Sequence, residues 1–325
     1  MAYETFIPRV EIAKLLEERD KNLVFGANCT REYEGAIKKK GDSITLKVAG
    51  TPTIYRLEKD GTYSANQVGT GNVAGTGKQV IHNGIPDAEE VEGSEILMQV
   101  NQIAVWNYGI GNIDEEQSED KGLMGKFRVK QGKALANEQD RYIAKVMAGF
   151  EPLRHPDYSS AIKLVPTETL STNASGKTSN NEVYVLDFLD DMVVKLNERD
   201  IGDNVKLVFE CTPKVWSVIK KAYRDLDTDN SAMIAGRRCG RYNDILIVKT
   251  NNAIVDVNGT PTEYCFLRTT ESVAFFDPLT VHKAYEIEKG FKDAVKGFSL
   301  FDAGIVYPKE IIVTELTWTS TYPSA

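Results

Sequence analysis

Phe275-Phe276-Asp277-Pro278, His282-Lys283-Ala284-Tyr285-Glu286, Glu288-Lys289-Gly290-Phe291-Lys292-Asp293-Ala294-Val295-Lys296-Gly297-Phe298 and Asp302-Ala303-Gly304-Ile305-Val306-Tyr307-Pro308 follow one another as a continuous pattern in the last third of the chain. An apolar strand at 273–276 leads into a charged segment with an aromatic-Lys-Asp-Ala-Val core. A further strand at 298–307 carries Gly304 and runs into Pro308. Strand patterns at 264–267 and 311–316 flank it, so the chain closes on β structure.

Working outward, the 325 residues are enough to bury a sizeable core in two or three domains. The composition, 42% hydrophobic and 26% charged, is that of an ordinary globular chain. No run of 18 apolar residues occurs, and the polar start Met1-Ala2-Tyr3-Glu4-Thr5 is no secretory leader, so neither membrane insertion nor secretion is expected. A net charge of −8 argues against a protein that coats nucleic acid, since neutralising phosphates takes clustered Lys and Arg. It is compatible with a container that holds DNA without sticking to it. Cys29, Cys211, Cys239 and Cys265 have no C-x-x-C spacing and read as reduced, buried thiols.

Residues 1–41 read as an extended piece and a short helix, with Val10, Ala13 and Leu16 at helical spacing, too little apolar surface to stand alone. Ile44, Leu46 and Val48 alternate with Thr45 and Lys47 as a half-buried strand, and a second strand pattern covers 95–108. Between them, residues 58–93 are polar and glycine-rich, far longer than an ordinary hairpin loop. A projecting β-arm completed by another subunit accounts for such a segment. After Asn112 or Asp114 a helix pattern continues to about Phe150, with Met124, Phe127, Gln131, Leu135, Tyr142, Val146 and Phe150 near one stripe. Residues 151–181 are loop-rich. An α/β block follows: a helix through Val185, Leu189, Met192, Val193 and Leu196, a strand at 205–209, a helix from Thr212-Pro213 with Trp216, Ile219 and Tyr223 on one face, a polar loop at 225–238, and a buried strand at 245–248.

Tests for chemistry return structural readings. Gly69-x-Gly71-x-x-x-Gly75 misses the dinucleotide-binding spacing by one residue, and Gly77-Lys78 is followed by Gln79 where a phosphate loop needs Ser or Thr. His82, His155 and His282 lie in different segments, none paired for a metal. The neighbours Asp190 and Asp191 sit in a helix and point in different directions. Lys38-Lys39-Lys40 and Arg237-Arg238 with Arg241 lack interleaved aromatics for stacking bases. No catalytic residue, metal or cofactor is expected.

The terminal pattern resembles the closing segment of tailed-phage major capsid proteins of the Hong Kong 97 type. Other segments are similar to the same family in order: Leu23-Val24-Phe25-Gly26 with Arg31-Glu32-Tyr33-Glu34-Gly35 and Gly41-Asp42-Ser43-Ile44; Val100-Asn101-Gln102 with Trp106 and Ile113-Asp114-Glu115-Glu116-Gln117; Ala134-Leu135-Ala136-Asn137-Glu138-Gln139-Asp140; Thr212-Pro213-Lys214-Val215-Trp216; and residues 236–248. The resemblance covers nearly the whole chain and implies an α+β fold. Its parts are an N-terminal arm (1–41), an extended β-hairpin loop (42–111, tip about 58–93), a peripheral domain with a long spine helix (112–181), an axial α/β domain (182–262) and returning strands (263–325).

What the resemblance implies for function is a major capsid protein, not an enzyme. It would form hexamers and pentamers of an icosahedral head enclosing DNA, assembled in the host bacterial cytoplasm with a scaffolding protein, a portal at one vertex and a decoration protein. Because the chain starts almost at the arm, a separate scaffold or prior processing is expected. Subunit contacts are expected from Tyr63, Gly69, Gly71, Gly75, Gly77 and Lys78 of the loop and from Arg9, Glu17, Arg19 and Arg31 of the arm. Asp225, Asp227, Arg237 and Arg238 would line the capsomer axis, and Phe127, Leu135, Tyr142 and Val146 would form the spine-helix core. Phe291 and Val295 are expected beside that helix, with Lys292, Asp293 and Lys296 facing solvent or a neighbour. Lys–Asn cross-linking occurs in some relatives; Lys59 and Lys78 are available, but no motif identifies a pair and none is expected. Two alternatives stay open: an encapsulin-like nanocompartment shell, and an α/β enzyme without a recognisable site.

Overall fold

The computed structural model describes residues 7–32, 43–48, 54–57, 62–66, 79–80, 94–111, 123–150, 164–170, 183–199, 201, 205–224, 239–242, 245–257, 259–286 and 292–318. Its helices are α1 (Ile7–Asn22), α2 (Leu123–Met147), α3 (Val185–Asn197) and α4 (Pro213–Arg224). The strands are β1 (Ser43–Val48), β2 (Ile54–Leu57), β3 (Thr62–Asn66), β4 (Gln79–Val80), β5 (Ser94–Gln99), β6 (Gln102–Gly111), β7 (Leu164–Leu170), β8 (Leu207–Cys211), β9 (Cys239–Tyr242), β10 (Ile245–Lys249), β11 (Ile254–Val257), β12 (Thr260–Thr269), β13 (Val273–Glu286), β14 (Lys292–Ile305) and β15 (Ile311–Trp318).

Two units divide the chain: Ile44–Met98 is one, and Met1–Ser43 with Gln99–Ala325 is the other. Within the smaller unit β1 pairs with β5, and β2, β3 and β4 form a three-stranded sheet. The pairing β1–β5 is the expected two-stranded stem, and the segment expected as a loop tip contains strands of its own, with Tyr63 of β3 opposite Leu57 and Gln79.

The larger unit is built on a mixed sheet in the order β7-β15-β12-β8-β10-β9, with β11 added on β12. Its central strands show why their sequences read as unbroken apolar runs. Side chains alternate across a strand, and both faces here are covered. Along β12, Cys265 and Leu267 point into one core while Tyr264 and Phe266 point into the other; along β15, Ile312 and Leu316 oppose Ile311 and Val313 in the same way. The first core is closed by α3, through Val185, Phe188, Leu189, Met192 and Leu196, and by α4, through Val215, Trp216, Val218, Ile219 and Ala222. Pro213 opens α4 where a first turn needs no N–H. The second core is closed by α2, through Ala136, Ile143, Ala144, Val146 and Met147.

A separate antiparallel sheet, β13-β14-β6, packs Tyr108 and Phe301 toward α2. Thus the return strand expected to end the projection continues as β6 into the larger unit, where Trp106 lies opposite Gly297. The sheet needs that glycine: a Cβ at position 297 would stand 2.2 Å from the Val281 carbonyl oxygen and 2.6 Å from the Trp106 ring.

Several expectations change. β7 occupies part of the stretch read as loop, and β13 runs on past Pro278 to Glu286, with a register shift between Phe276 and Leu279. The buried face of α1 carries Leu15 and Arg19, while Ala13 is exposed and Leu16 half-buried. The helix expected over 112–150 is α2; the expected part at 112–122 lies outside the described residues.

Candidate functional site

The densest polar construction in the larger unit holds the N-terminal segment onto the sheet and the long helix. β8 and β12 are antiparallel neighbours with Val208 opposite Arg268, so Glu210 and Arg268 project on the same face, the one turned to α2. Arg268 donates from Nε to Glu210 Oε2 at 2.9 Å and from Nη2 to Oε1 at 2.8 Å, and both side chains are wholly buried. Its remaining donors reach the chain segment after α1: Nη1 to the Asn28 carbonyl at 2.8 Å and Nη2 to the Phe25 carbonyl at 3.1 Å. A planar guanidinium can serve a carboxylate and two carbonyls at once, which an ammonium could not do in this geometry.

Asp140, on the inner face of α2, completes the grip from the other side. Its Oδ1 accepts the N–H groups of Phe25 at 3.0 Å and Gly26 at 3.2 Å, and Oδ2 accepts Val24 N–H at 2.9 Å. These are the donors that the 310 turn Gly26–Asn28 leaves unpaired. Asn252 adds a longer contact at 3.4 Å. Burial pushes the Asp140 carboxyl up to about 6, while the Val24 and Gly26 N–H groups pull the other way. Beyond the turn, Thr30 and Ala274 form an isolated parallel bridge: Thr30 N–H donates to Val273, and Phe275 N–H to Thr30.

Before the turn, α1 lies against α2. Gly132 allows the approach: a Cβ there would be 3.0 Å from Glu18 Cβ and 3.2 Å from the Leu15 oxygen. Arg19 pairs with Asp277 at the β13 irregularity, with both side chains almost fully buried, and also with Asp20 at 2.8 Å. Asp277 in turn accepts from Ser299 Oγ at 2.9 Å. Asp302 ties α2 to the β13-β14-β6 sheet, accepting from Tyr142 OH at 2.9 Å and Asn101 N–H at 3.1 Å.

The residues singled out from sequence distribute as follows. In the arm, Glu17 is exposed and pairs with Lys21 at 2.7 Å, and the Arg31 guanidinium sits 5.3 Å from the centre of the Phe275 ring. Arg19 turns inward, where it meets the buried carboxylate of Asp277. Arg9 lies in α1, its side chain outside the described residues, as are Gly69, Gly71, Gly75, Gly77, Lys78, Asp225, Asp227, Arg237, Arg238 and Phe291. On α2, Leu135 and Val146 are buried and Tyr142 stacks edge-on against Phe301. Phe127 does not join this core: it remains 38% exposed at the start of the helix, where Tyr108 covers one side of its ring. Val295 is buried and Lys296 exposed, 4.5 Å above the Tyr285 ring. Sequence reading missed Asp140, Glu210 and Arg268. The one available signal was a charge at an inward position of an apolar run: Glu210 in Leu207-Val208-Phe209-Glu210-Cys211, Arg268 after Phe266-Leu267.

Among the described residues no group of three or more His, Cys, Asp and Glu side chains could hold a metal, and no helix is long and apolar enough to cross a membrane. Cys211 and Cys265 are buried free thiols whose ionisation burial pushes well up, which leaves them inert as nucleophiles. His282 is buried and accepts from the Trp106 indole at 3.3 Å. The arrangement holds chain segments in place.

No family model and no curated protein matches the sequence. Solved structures do match. A chain from Mycobacterium phage Che8 superposes with a TM-score of 0.60 at 14% identity, covering 90% of each chain. A chain of the bacteriophage PhiM1 mature capsid gives 0.59 at 14%, over 91% of this chain and 87% of that one. A virus-like particle from Pyrococcus furiosus gives 0.53 at 12%, over 95% of this chain and all of that one. The chain thus has an α+β fold shared, over about nine tenths of its length, with chains of phage capsids, the Hong Kong 97-type fold.

Proposed function

We propose that this chain is a self-assembling shell subunit, the major capsid protein of a tailed phage, that tiles as hexamers and pentamers into an icosahedral head around double-stranded DNA. The observation that carries the reading is the extent of the shared fold: capsid chains from separate phages match over about nine tenths of their own length. The anchored arm supports it further, since Arg268 and Asp140 hold a peripheral segment in a fixed geometry from which a neighbour can be engaged.

In this reading the unit Ile44–Met98 is the projecting loop, and Tyr63, Gly69, Gly71, Gly75, Gly77 and Lys78 contact an adjoining subunit. Arg9, Glu17 and Arg31 meet a neighbour along the arm, and Asp225, Asp227, Arg237 and Arg238 line the capsomer axis. Assembly proceeds through a scaffolded procapsid that matures, with a portal at one vertex and a decoration protein outside. A second reading, an encapsulin-like compartment, is favoured by one observation, the match to an archaeal virus-like particle over that chain's whole length.

Expression alone and with a candidate scaffold, followed by sedimentation and electron microscopy, tests the proposal. Closed particles or capsomers are expected. A chain that stays monomeric under every condition would sink it, and particles filled with a co-purifying enzyme would select the second reading.

A further inference from the structure

Charge is unevenly spread over this acidic molecule. The helix α2 carries six basic side chains, Lys126, Arg128, Lys130, Lys133, Arg141 and Lys145, against two acidic ones, in a chain of net charge −8. One of the two acids, Asp140, is buried and engaged by the arm, so Glu138 is the one exposed carboxylate of the helix. Lys130, Lys133 and Arg141 are all exposed. At about 100° per residue they fall within an arc of about 80°, and they span about 16 Å along the axis. That arc faces away from Gly132, Ala136, Ile143 and Met147, the positions that meet α1 and the second core.

None of these three cations has an ion-pair partner among the described residues. By contrast Lys21 pairs with Glu17 and Glu18, Lys214 with Glu263, Arg19 with Asp277 and Arg268 with Glu210. Three uncompensated cations on one rigid helix face favour a polyanion. The kind of polyanion follows from what lies between them. Ala134 and Asn137 separate the basic residues, and no large hydrophobic side chain is exposed from position 130 to the end of the helix. Stable protein docking draws its energy from buried apolar and aromatic anchors, which on this helix are confined to Phe127 and Val129 before the basic stretch, whereas phosphate contact needs only distributed positive charge.

We infer that the solvent face of α2 is a sequence-independent contact surface for the phosphate backbone of double-stranded DNA, carried by Lys130, Lys133 and Arg141. The inference rests on the shell reading and sharpens it: the enclosed DNA meets an acidic subunit at one basic ridge. That confines contact to a helix face whose three cations displace into solution the counterions condensed on the phosphates.

The test measures binding of a fluorescent 30-base-pair DNA to the full, unassembled chain between 50 and 200 mM salt, for wild type and for Lys130→Ala/Lys133→Ala/Arg141→Ala. Three phosphate contacts correspond to an affinity loss of about 40-fold across that interval. The triple variant should therefore lose about 40-fold less than wild type over the same range. Alanine favours the helix, and circular dichroism checks that the variant folds. An unchanged salt dependence, or no DNA binding by wild type at 50 mM salt, overturns the inference. So does a variant that keeps the DNA salt dependence but loses binding to polyglutamate, which assigns the ridge to an acidic protein segment. Electron microscopy of the assembled proteins reads the shell proposal separately, because a salt slope lost in the variant stands whether or not particles form.

Discussion

Arg268 donates to both carboxylate oxygens of Glu210, at 2.9 and 2.8 Å, in a position that no water-facing surface reaches. Two strands whose partners in sequence lie 58 residues apart thereby share one charge pair, and the arm is hung from it. Removing one member leaves the other buried and unpaired, at a cost of about 3–5 kcal/mol. Glu210→Ala should show that loss as a lower urea midpoint. Arg268→Met with Glu210→Leu should recover only part of it, because the carbonyls of Phe25 and Asn28 then lose their donor as well.

Asp140 gives the molecule a pH signature. Burial pushes its carboxyl up to about 6 in the folded chain, above the ordinary carboxylate range. The folded state therefore binds the proton more tightly than the unfolded chain. The associated stability is complete below about pH 4 and is lost as pH rises through about 6. Burial raises Glu210 in the same direction. Urea unfolding at pH 4.5 and 7 should show a wild type that weakens with rising pH, and Asp140→Asn should flatten that trend; equal slopes would mean Asp140 does not titrate in this window.

Gly132 sets the spacing of α1 on α2. Gly132→Ile forces a branched side chain against Glu18 and the Leu15 carbonyl, with an overpacking cost of about 1–3 kcal/mol. Limited trypsin digestion should then cut at Lys14 and Lys21 faster than in wild type while α3 and α4 stay protected.

At Gly297 the obstacle is backbone as well as ring. Gly297→Ala should displace Trp106 and strain the β13–β14 pairing at Val281, lowering the melting temperature and shifting indole emission toward the red. Unaltered emission would mean the ring has room that the structure does not give it.

Phe127 and Leu135 separate the exposed and buried ends of α2. Leu135→Ala should cost about 2–5 kcal/mol as a core truncation. Phe127→Ala, with its ring partly in solvent, should cost under about 1 kcal/mol. Equal losses by chemical denaturation would place Phe127 in the core after all.

What the sequence made legible was whatever depends on neighbours along the chain. Ile245-Leu246-Ile247-Val248 reads as a buried strand because both its faces are covered, and the Val185 to Leu196 stripe reads as a helix because its apolar positions recur with the helical turn. The course of β13 beyond Pro278 was hidden, since Thr280, His282 and Lys283 break the apolar pattern while the backbone still pairs with β14. The arm-holding cluster could not be read at all: Asp140, Glu210 and Arg268 are far apart in sequence and meet the arm only through the tertiary fold. On α1, Leu15 was passed over and Arg19 was read as a subunit contact for a related reason. A glycine on another helix, together with a carboxylate at a strand irregularity, decides which face of a weakly amphipathic helix turns inward.

The parallel bridge between Thr30 and Ala274 has a mechanical side. Tension along the arm does not open its bonds one at a time like a zipper, because the two hydrogen bonds of a parallel bridge take load in shear and share it. Upstream, the Phe25 and Asn28 carbonyls on Arg268 form a second fastening set in series with the first. A pull from outside would thus meet a graded clutch, gripping first at the guanidinium on β12 and then at the bridge on β13, so that the load is divided between the two sheets.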